Sequence, residues 1–296
     1  LGNVELVDIN NMRTKHKKLT FTKMRGTGND YLYFDCFDQT VESPESLAVR
    51  LSNRRTGVGS DGIVLIMPST IADAKMRMFN ADGTEGSVAG NALRCVCKYL
   101  YENGHVRKDE MAVETGSGVK TAKLFIREDQ VFSVVVDMGC PAFAPAKIPV
   151  KLDGDRVMMR PVFLAGEKRE ISCVSMGNPH VVIFVEDVNR IPLEQVGPQI
   201  ETDSLFPERV NVSFAQIVDK NDIVMRVWER GIGETAACGT GACAVAVAAV
   251  ENGFCTRGAD IDVRLPGGTL VVRYQEDGKV WLTGDANTDF TGTIEI

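Results

Sequence analysis

Cys238 is followed by Gly239, Thr240 and Gly241 where an apolar stretch, "ACAVAVAAV", begins. A cysteine at the first turn of a helix meets the positive end of the helix dipole and unpaired backbone N–H groups. Both favour the thiolate and can draw a thiol from about 8.5 toward roughly 3.5–7.5. On that ground Cys238 is expected to titrate low and to alkylate ahead of the other cysteines. The flanking glycines let a ligand approach the backbone, and the free N–H groups can hold a carboxylate. Cys95, Cys97 and Cys243 fall inside the helices and read as small buried hydrophobes.

A second helix mouth of the same kind lies upstream. Shifting the sequence by 149 residues lays Gly28-Asn29 over Gly177-Asn178, so that "GNDYLYF" matches "GNPHVVIF". The same shift lays "MRMFNADGTEGSVAGNALRCVCKYLYENG" over "MRVWERGIGETAACGTGACAVAVAAVENG", with Ala89 over Cys238 and Gly90 over Gly239. One gapless shift serving separated regions marks two copies of one fold. Two such mouths facing across a cleft would bracket a small anion. With a thiol on each, one would take a proton from a substrate carbon while the other delivered one to the opposite face, which is what inversion at an amino-acid α-carbon requires. Helix N-termini would stabilise charge developing on the carboxylate. At position 89, however, this chain has a methyl group.

The elements that must position these residues are legible in outline. "KLTFTKMRG", "YLYFDCF", "GIVLIMP" and "KMRMFNA" read as strands, and Gly90 to Tyr101 as a helix closed by Asn103-Gly104. The second copy repeats the pattern with "HVVIFVED", "NVSFAQIVD", "IVMRVWE" and a helix from Gly239 to about Val250. "VFSVVVDMG", "DIDVRLPGGTLVVRYQ" and "KVWLTGDA" add β-hairpins. The class is α+β, with mostly antiparallel strands wrapped round one central helix per copy. Residues 1–18 read as an N-terminal arm, of which 1–11 have no role in the fold. Residues 19–134 with 284–296 are expected to form one domain and 135–283 the other, joined through the proline-rich stretch from Met138 to Pro149.

Composition narrows the function. The 296 residues carry a formal net charge of -7, and the one basic cluster, Arg13 to Lys18, reads as a solvated arm, so no nucleic-acid partner is expected. No apolar run reaches the roughly 20 residues of a membrane helix, and no signal peptide opens the chain; a cytoplasmic protein without a membrane partner is expected. The eight cysteines are read as free thiols, and their pairs, Cys95 with Cys97 and Cys238 with Cys243, lack the spacing and nearby histidines of a zinc site.

Together "GTGNDYLYFD", "RTGVGSDGIVLI", "FNADGTE", "SMGNPHVVIF", "PERVNVSFAQIV" and "ERGIGETAACGTGACA" resemble the diaminopimelate epimerase family from about Leu19 onward. The resemblance implies two pseudo-symmetric domains, each a curved antiparallel sheet around a central helix. It also implies interconversion of LL- and meso-diaminopimelate by two thiols, without cofactor or metal, in lysine and peptidoglycan precursor synthesis. It places the second catalytic thiol on Cys238 and the first on Ala89, with His180 and Glu229 assisting proton transfer. Asn29, Asn80, Gly90, Asn91, Asn178, Asn211, Glu229, Arg230, Gly239 and Thr240 fall on substrate-holding positions; Arg230 suits a distal carboxylate gripped by two hydrogen bonds. Ala92, in place of a glycine, is expected to narrow the site. Ala89 leaves three explanations open: a deliberate Cys→Ala change, a homologue that has lost or changed its activity, or rescue by Cys95. A racemase of another amino acid and a non-catalytic amino-acid-binding protein are the alternatives, and a homodimer is one assembly compatible with the sequence.

Overall fold

The computed structural model describes residues 18–86 and 90–295; Ala89 and the arm up to residue 17 lie outside the described residues. The first half runs β1 (Lys18–Gly26), β2 (Asn29–Asp35), α1 (Pro44–Ser52), β3 (Gly62–Met67), β4 (Ala74–Asn80), β5 (Glu85–Gly86), α2 (Gly90–Glu102), β6 (Glu110–Thr115), β7 (Gly118–Arg127) and β8 (Gln130–Asp137). After β9 (Arg160–Leu164) the second half repeats that order. It runs β10 (Glu167–Ser175), β11 (Pro179–Phe184), α3 (Leu193–Glu201), β12 (Asn211–Asp219), β13 (Asp222–Glu229), β14 (Gly233–Thr235), α4 (Gly239–Glu251), β15 (Asp260–Leu265), β16 (Gly268–Tyr274) and β17 (Val280–Gly284). The last strand, β18 (Asn287–Glu295), returns to pair with β1.

The 149-residue shift carries α1 onto α3 and α2 onto α4 without a residue of slippage, and the strands follow within a residue or so at most ends. Ion pairs are repeated too. Arg77 forks onto Glu85 at 2.7 and 2.9 Å, and its counterpart Arg226 forks onto Glu234 at 2.8 and 3.0 Å.

The sheet is mostly antiparallel but contains the parallel pairs β2–β3, β4–β6, β11–β12 and β13–β15. Each encloses a helix in the connection, because parallel neighbours need a crossover that a tight turn cannot supply. That requirement accounts for α1 and α3, whose short segments carry no clear helical signal in the sequence.

α2 and α4 fill the inside of each half and α1 and α3 cover the outside. The middle of α4, Gly241 to Ala249, is buried on every side, as its all-apolar run of Ala, Val and Cys dictates. β3, "GIVLIM", is buried on both faces between α2 and α1, hence its unbroken hydrophobicity. The halves meet where β8 pairs antiparallel with its own counterpart, β17, through Val136 and Leu282. β8 is continuous across the expected boundary at 134/135.

Close to this seam Arg94 of α2 is fully buried. Its Nε donates to the Asp285 carbonyl at 3.0 Å and its Nη2 to Thr27 Oγ1 at 2.8 Å. Thr27 in turn donates its N–H and its hydroxyl to Asp285 Oδ1, tying the β1–β2 turn to the chain just before β18. Next to Thr27, Gly28 has φ +86° and lies against Gly267; a β-carbon on Gly28 would stand 2.9 Å from Gly267 Cα. Two glycines back to back bring the tips of the two halves into contact.

Candidate active site

The mouths of α2 and α4 converge. A β-carbon on Gly90 would stand 3.3 Å from Leu282 Cδ2, and one on Gly239 would stand 3.1 Å from the same atom and 3.7 Å from Asn91 Oδ1. First-turn residues of both helices therefore share one small region beneath the seam.

Cys238 is the N-cap of α4, with extended backbone (φ -137°, ψ 108°), and its Sγ accepts from Gly241 N–H at 3.4 Å. Thr240 Oγ1 lies 3.6 Å from the same sulfur, and the Glu229 carboxyl, at the end of β13, is near enough to act on its charge. Thr235 donates its hydroxyl to Glu229 Oε1 at 2.5 Å.

The charge state differs from the sequence expectation. Burial pushes the Cys238 thiol well up from its ordinary value, and the neighbouring Glu229 carboxylate adds to the rise, outweighing the hydrogen bonds from Thr240 and Gly241. Only 5% of the residue is exposed. The helix N-terminus is present, but the desolvation of a sulfur packed into the core round α4 wins over it. Burial also raises Glu229, against the hydrogen bond from Thr235.

His180, on β11, is wholly buried and burial lowers it to about 3, with Arg230 adding to the effect, so its ring is neutral. Its Nε2 lies 3.0 Å from Asn178 Oδ1, and Asn178 Nδ2 donates to Thr240 Oγ1 at 3.2 Å. Asn211 Nδ2 donates to the Pro179 carbonyl at 2.8 Å and its Oδ1 accepts the Arg230 N–H at 3.0 Å. The Arg230 guanidinium is held by the Glu208 carbonyl at 3.0 Å.

On the other side Asn91, in the first turn of α2, donates to Asn29 Oδ1 at 2.6 Å. Asn80 donates to Thr84 Oγ1 at 3.0 Å and is the repeat's counterpart of Glu229.

Among the described residues of the expected set, His180, Asn178 and Thr240 are linked at the mouth of α4, Asn29 and Asn91 at the mouth of α2, and Asn211 holds the Arg230 N–H beside His180. Ala92 is fully buried in the core with Met24 and Tyr33, and at its counterpart in the repeat, Gly241, a β-carbon would stand 3.2 Å from the Cys238 sulfur. One expectation needs correction. Cys95 is fully buried in the same core and raised by that burial to about 11, so it is no substitute for a thiol at 89.

Two residues of the site carry little signal in the sequence. Thr235 anchors Glu229, and Asp61 accepts from Asn29 Nδ2 at 3.1 Å while Arg54 reaches its other oxygen at 2.8 Å. The one pointer to Asp61 is "RRTGVGSDG", in which Arg54 and Asp61 flank the glycines.

Comparison with known proteins agrees with this architecture. The chain is 48% identical to a diaminopimelate epimerase of Acetivibrio thermocellus, over 94% of this chain and 99% of that one. It is 50% identical to a diaminopimelate epimerase of Desulfovibrio desulfuricans, again over 94% of this chain and 99% of the relative. Among solved structures, a phenazine biosynthesis protein of the PhzF family from Bacillus anthracis superposes with TM-score 0.69 at 18% identity, over 95% of this chain and all of that one. A hydroxyproline epimerase from Agrobacterium vitis superposes with TM-score 0.62 at 16% identity, over 96% of this chain and 94% of the other. These two share the fold. The diaminopimelate epimerase family itself matches residues 21–144 and 172–288, which take in both helix mouths, and the chain belongs to that family.

Proposed function

We propose that this chain binds diaminopimelate with its reactive α-carbon beside Cys238 and its α-carboxylate on the N–H groups of Gly90, Asn91, Gly239 and Thr240. The observation that carries the reading is the Cys238–Glu229–Thr240 constellation at the N-terminus of α4, closed over by the mouth of α2. Glu229 takes the proton from the thiol, the thiolate takes the α-proton, and the electron pair left on the α-carbon is stabilised by the N–H groups on the carboxylate. Return of a proton from Cys238 to the same face regenerates the starting isomer. His180, neutral, fixes Asn178 and through it Thr240. Asn211 and Arg230 serve the distal ammonium–carboxylate end, and the halves built round α2 and α4, with β8 kept whole in the first, act as the closing domains.

Inversion needs a second proton donor on the far face, at position 89, where a methyl group cannot serve. The chain as it stands is therefore a half-site that exchanges an α-proton without completing epimerisation. The test is incubation with LL- and meso-diaminopimelate in heavy water, for this chain and for Ala89→Cys. Deuterium should enter without change of configuration in the first. Inversion should appear in the second, faster by at least about 10²–10⁴, the usual contribution of an acid–base group. Equal inversion rates would overturn the two-thiol reading, and binding of a different amino acid with no affinity for diaminopimelate would favour a racemase of other specificity.

A further inference from the structure

The two helix mouths correspond under the 149-residue shift, yet their amides run in opposite senses. At α4, Asn178 turns its Nδ2 to Thr240 Oγ1 and its Oδ1 to His180. At α2, Asn91 is the counterpart of Thr240 and Asn29 the counterpart of Asn178, and here the helix residue is the donor: Asn91 Nδ2 to Asn29 Oδ1, 2.6 Å. The reversal originates at Asp61. Its Oδ2 accepts from Asn29 Nδ2 at 3.1 Å and from the Asp30 N–H at 3.2 Å, and its Oδ1 accepts from Arg54 Nη2 at 2.8 Å.

A carboxylate facing a guanidinium offers only acceptors, so Asn29 must turn its NH2 to it. Asn29 Oδ1 then faces α2, Asn91 must turn its own NH2 to that oxygen, and Asn91 Oδ1 is left pointing the other way. That atom is buried, has no hydrogen-bond partner among the described residues, and lies beside Gly239. The second half has Val210 where the first has Asp61, so the relay exists on one side only.

Helix N-termini supply donors alone, which suit a carboxylate; an α-amino acid brings an ammonium group as well, and that group needs an acceptor. We propose that Asp61 is a positioning residue that acts through Asn29 to fix Asn91 Oδ1 as the acceptor for the substrate's ammonium group between the two helix mouths. The proposal rests on the amino-acid reading given above.

Asp61→Asn tests it. The new amide must keep its oxygen toward Arg54 and turn its NH2 to Asn29, which reverses both amides and points a donor at the ammonium group. Calorimetric affinity for meso-diaminopimelate should fall about tenfold or more. The side-chain amide signals of Asn29 and Asn91 in 15N-labelled protein should shift. Adding Asn29→Asp to Asp61→Asn moves the acceptor one step along the relay, and should restore most of the affinity and the Asn91 signal. A role limited to the Arg54 ion pair would leave the double variant as weak as the single one, and that result, or unchanged affinity in Asp61→Asn, overturns the proposal.

If the unaltered chain fails to bind diaminopimelate, the functional reading falls, while the amide signals still decide the relay: shift and recovery support it, no shift overturns it. Should Asp61→Asn not fold, exchange of the Asn29 and Asn91 side-chain amide protons in the unaltered protein decides. Slow exchange supports the relay and fast exchange overturns it.

Discussion

The sulfur of Cys238 is pulled two ways. The first turn of α4 and Thr240 favour its thiolate, while burial and the Glu229 carboxylate favour the thiol, and the second pair prevails in the closed arrangement. Reactivity toward a small alkylating agent should follow. Cys140 is exposed on the connection between the halves, so iodoacetamide should label it well before Cys238, as read by peptide mapping. Cys238 labelling first would mean that the protein spends its time in solution with the cleft open and the thiol solvated. The type and place of this residue are legible in "ACGTG" alone, because glycines after a cysteine at the start of an apolar run are a local signal. Its ionisation is not, since desolvation comes from a core that strands distant in sequence assemble round α4.

At the level of elements, the contact of Gly28 with Gly267 holds the β1–β2 turn against the chain between β15 and β16. Gly28→Ala adds a methyl group 2.9 Å from a backbone carbon at a positive φ. Gly166 has φ +79° and open space around it, so Gly166→Ala reports the backbone cost alone. The Gly28 variant should be the less stable of the two by about 1–3 kcal/mol in denaturant unfolding, the usual cost of overpacking; equal loss in both would show that the tips yield without strain. The strands and central helices are readable in the sequence because their signals are local: alternation, apolar runs, and Asn-Gly stops at 103–104 and 252–253. α1 is nine residues long and α3 carries Pro198 inside it, so neither offers enough periodicity to stand out. The Asp61–Asn29–Asn91 relay is equally hidden, since it forms only once β2 pairs with β3.

For the whole molecule, the two halves are alike in order but not in how they are completed. β1 is paired by β2 on one side and by β18 on the other, from Lys18↔Glu295 to Arg25↔Asn287, with Phe290 against Phe21 at 6.1 Å. Deleting Asn287–Glu295 would bare one edge of β1 and uncover Leu19 and Phe21. The shortened chain should aggregate, as read by soluble yield and light scattering, and a synthetic β18 peptide should rescue it. A soluble truncated protein with an unchanged melting temperature would contradict this. The same pairing bears on birth as well as on stability. A ribosome adding roughly 5–20 residues per second needs on the order of tens of seconds to travel from β1 to β18. Throughout that interval the earlier half carries an open strand edge, while the later half acquires its partners from its own neighbours as they emerge. The half that is synthesised first is completed last, and a nascent-chain chaperone would find its binding site there.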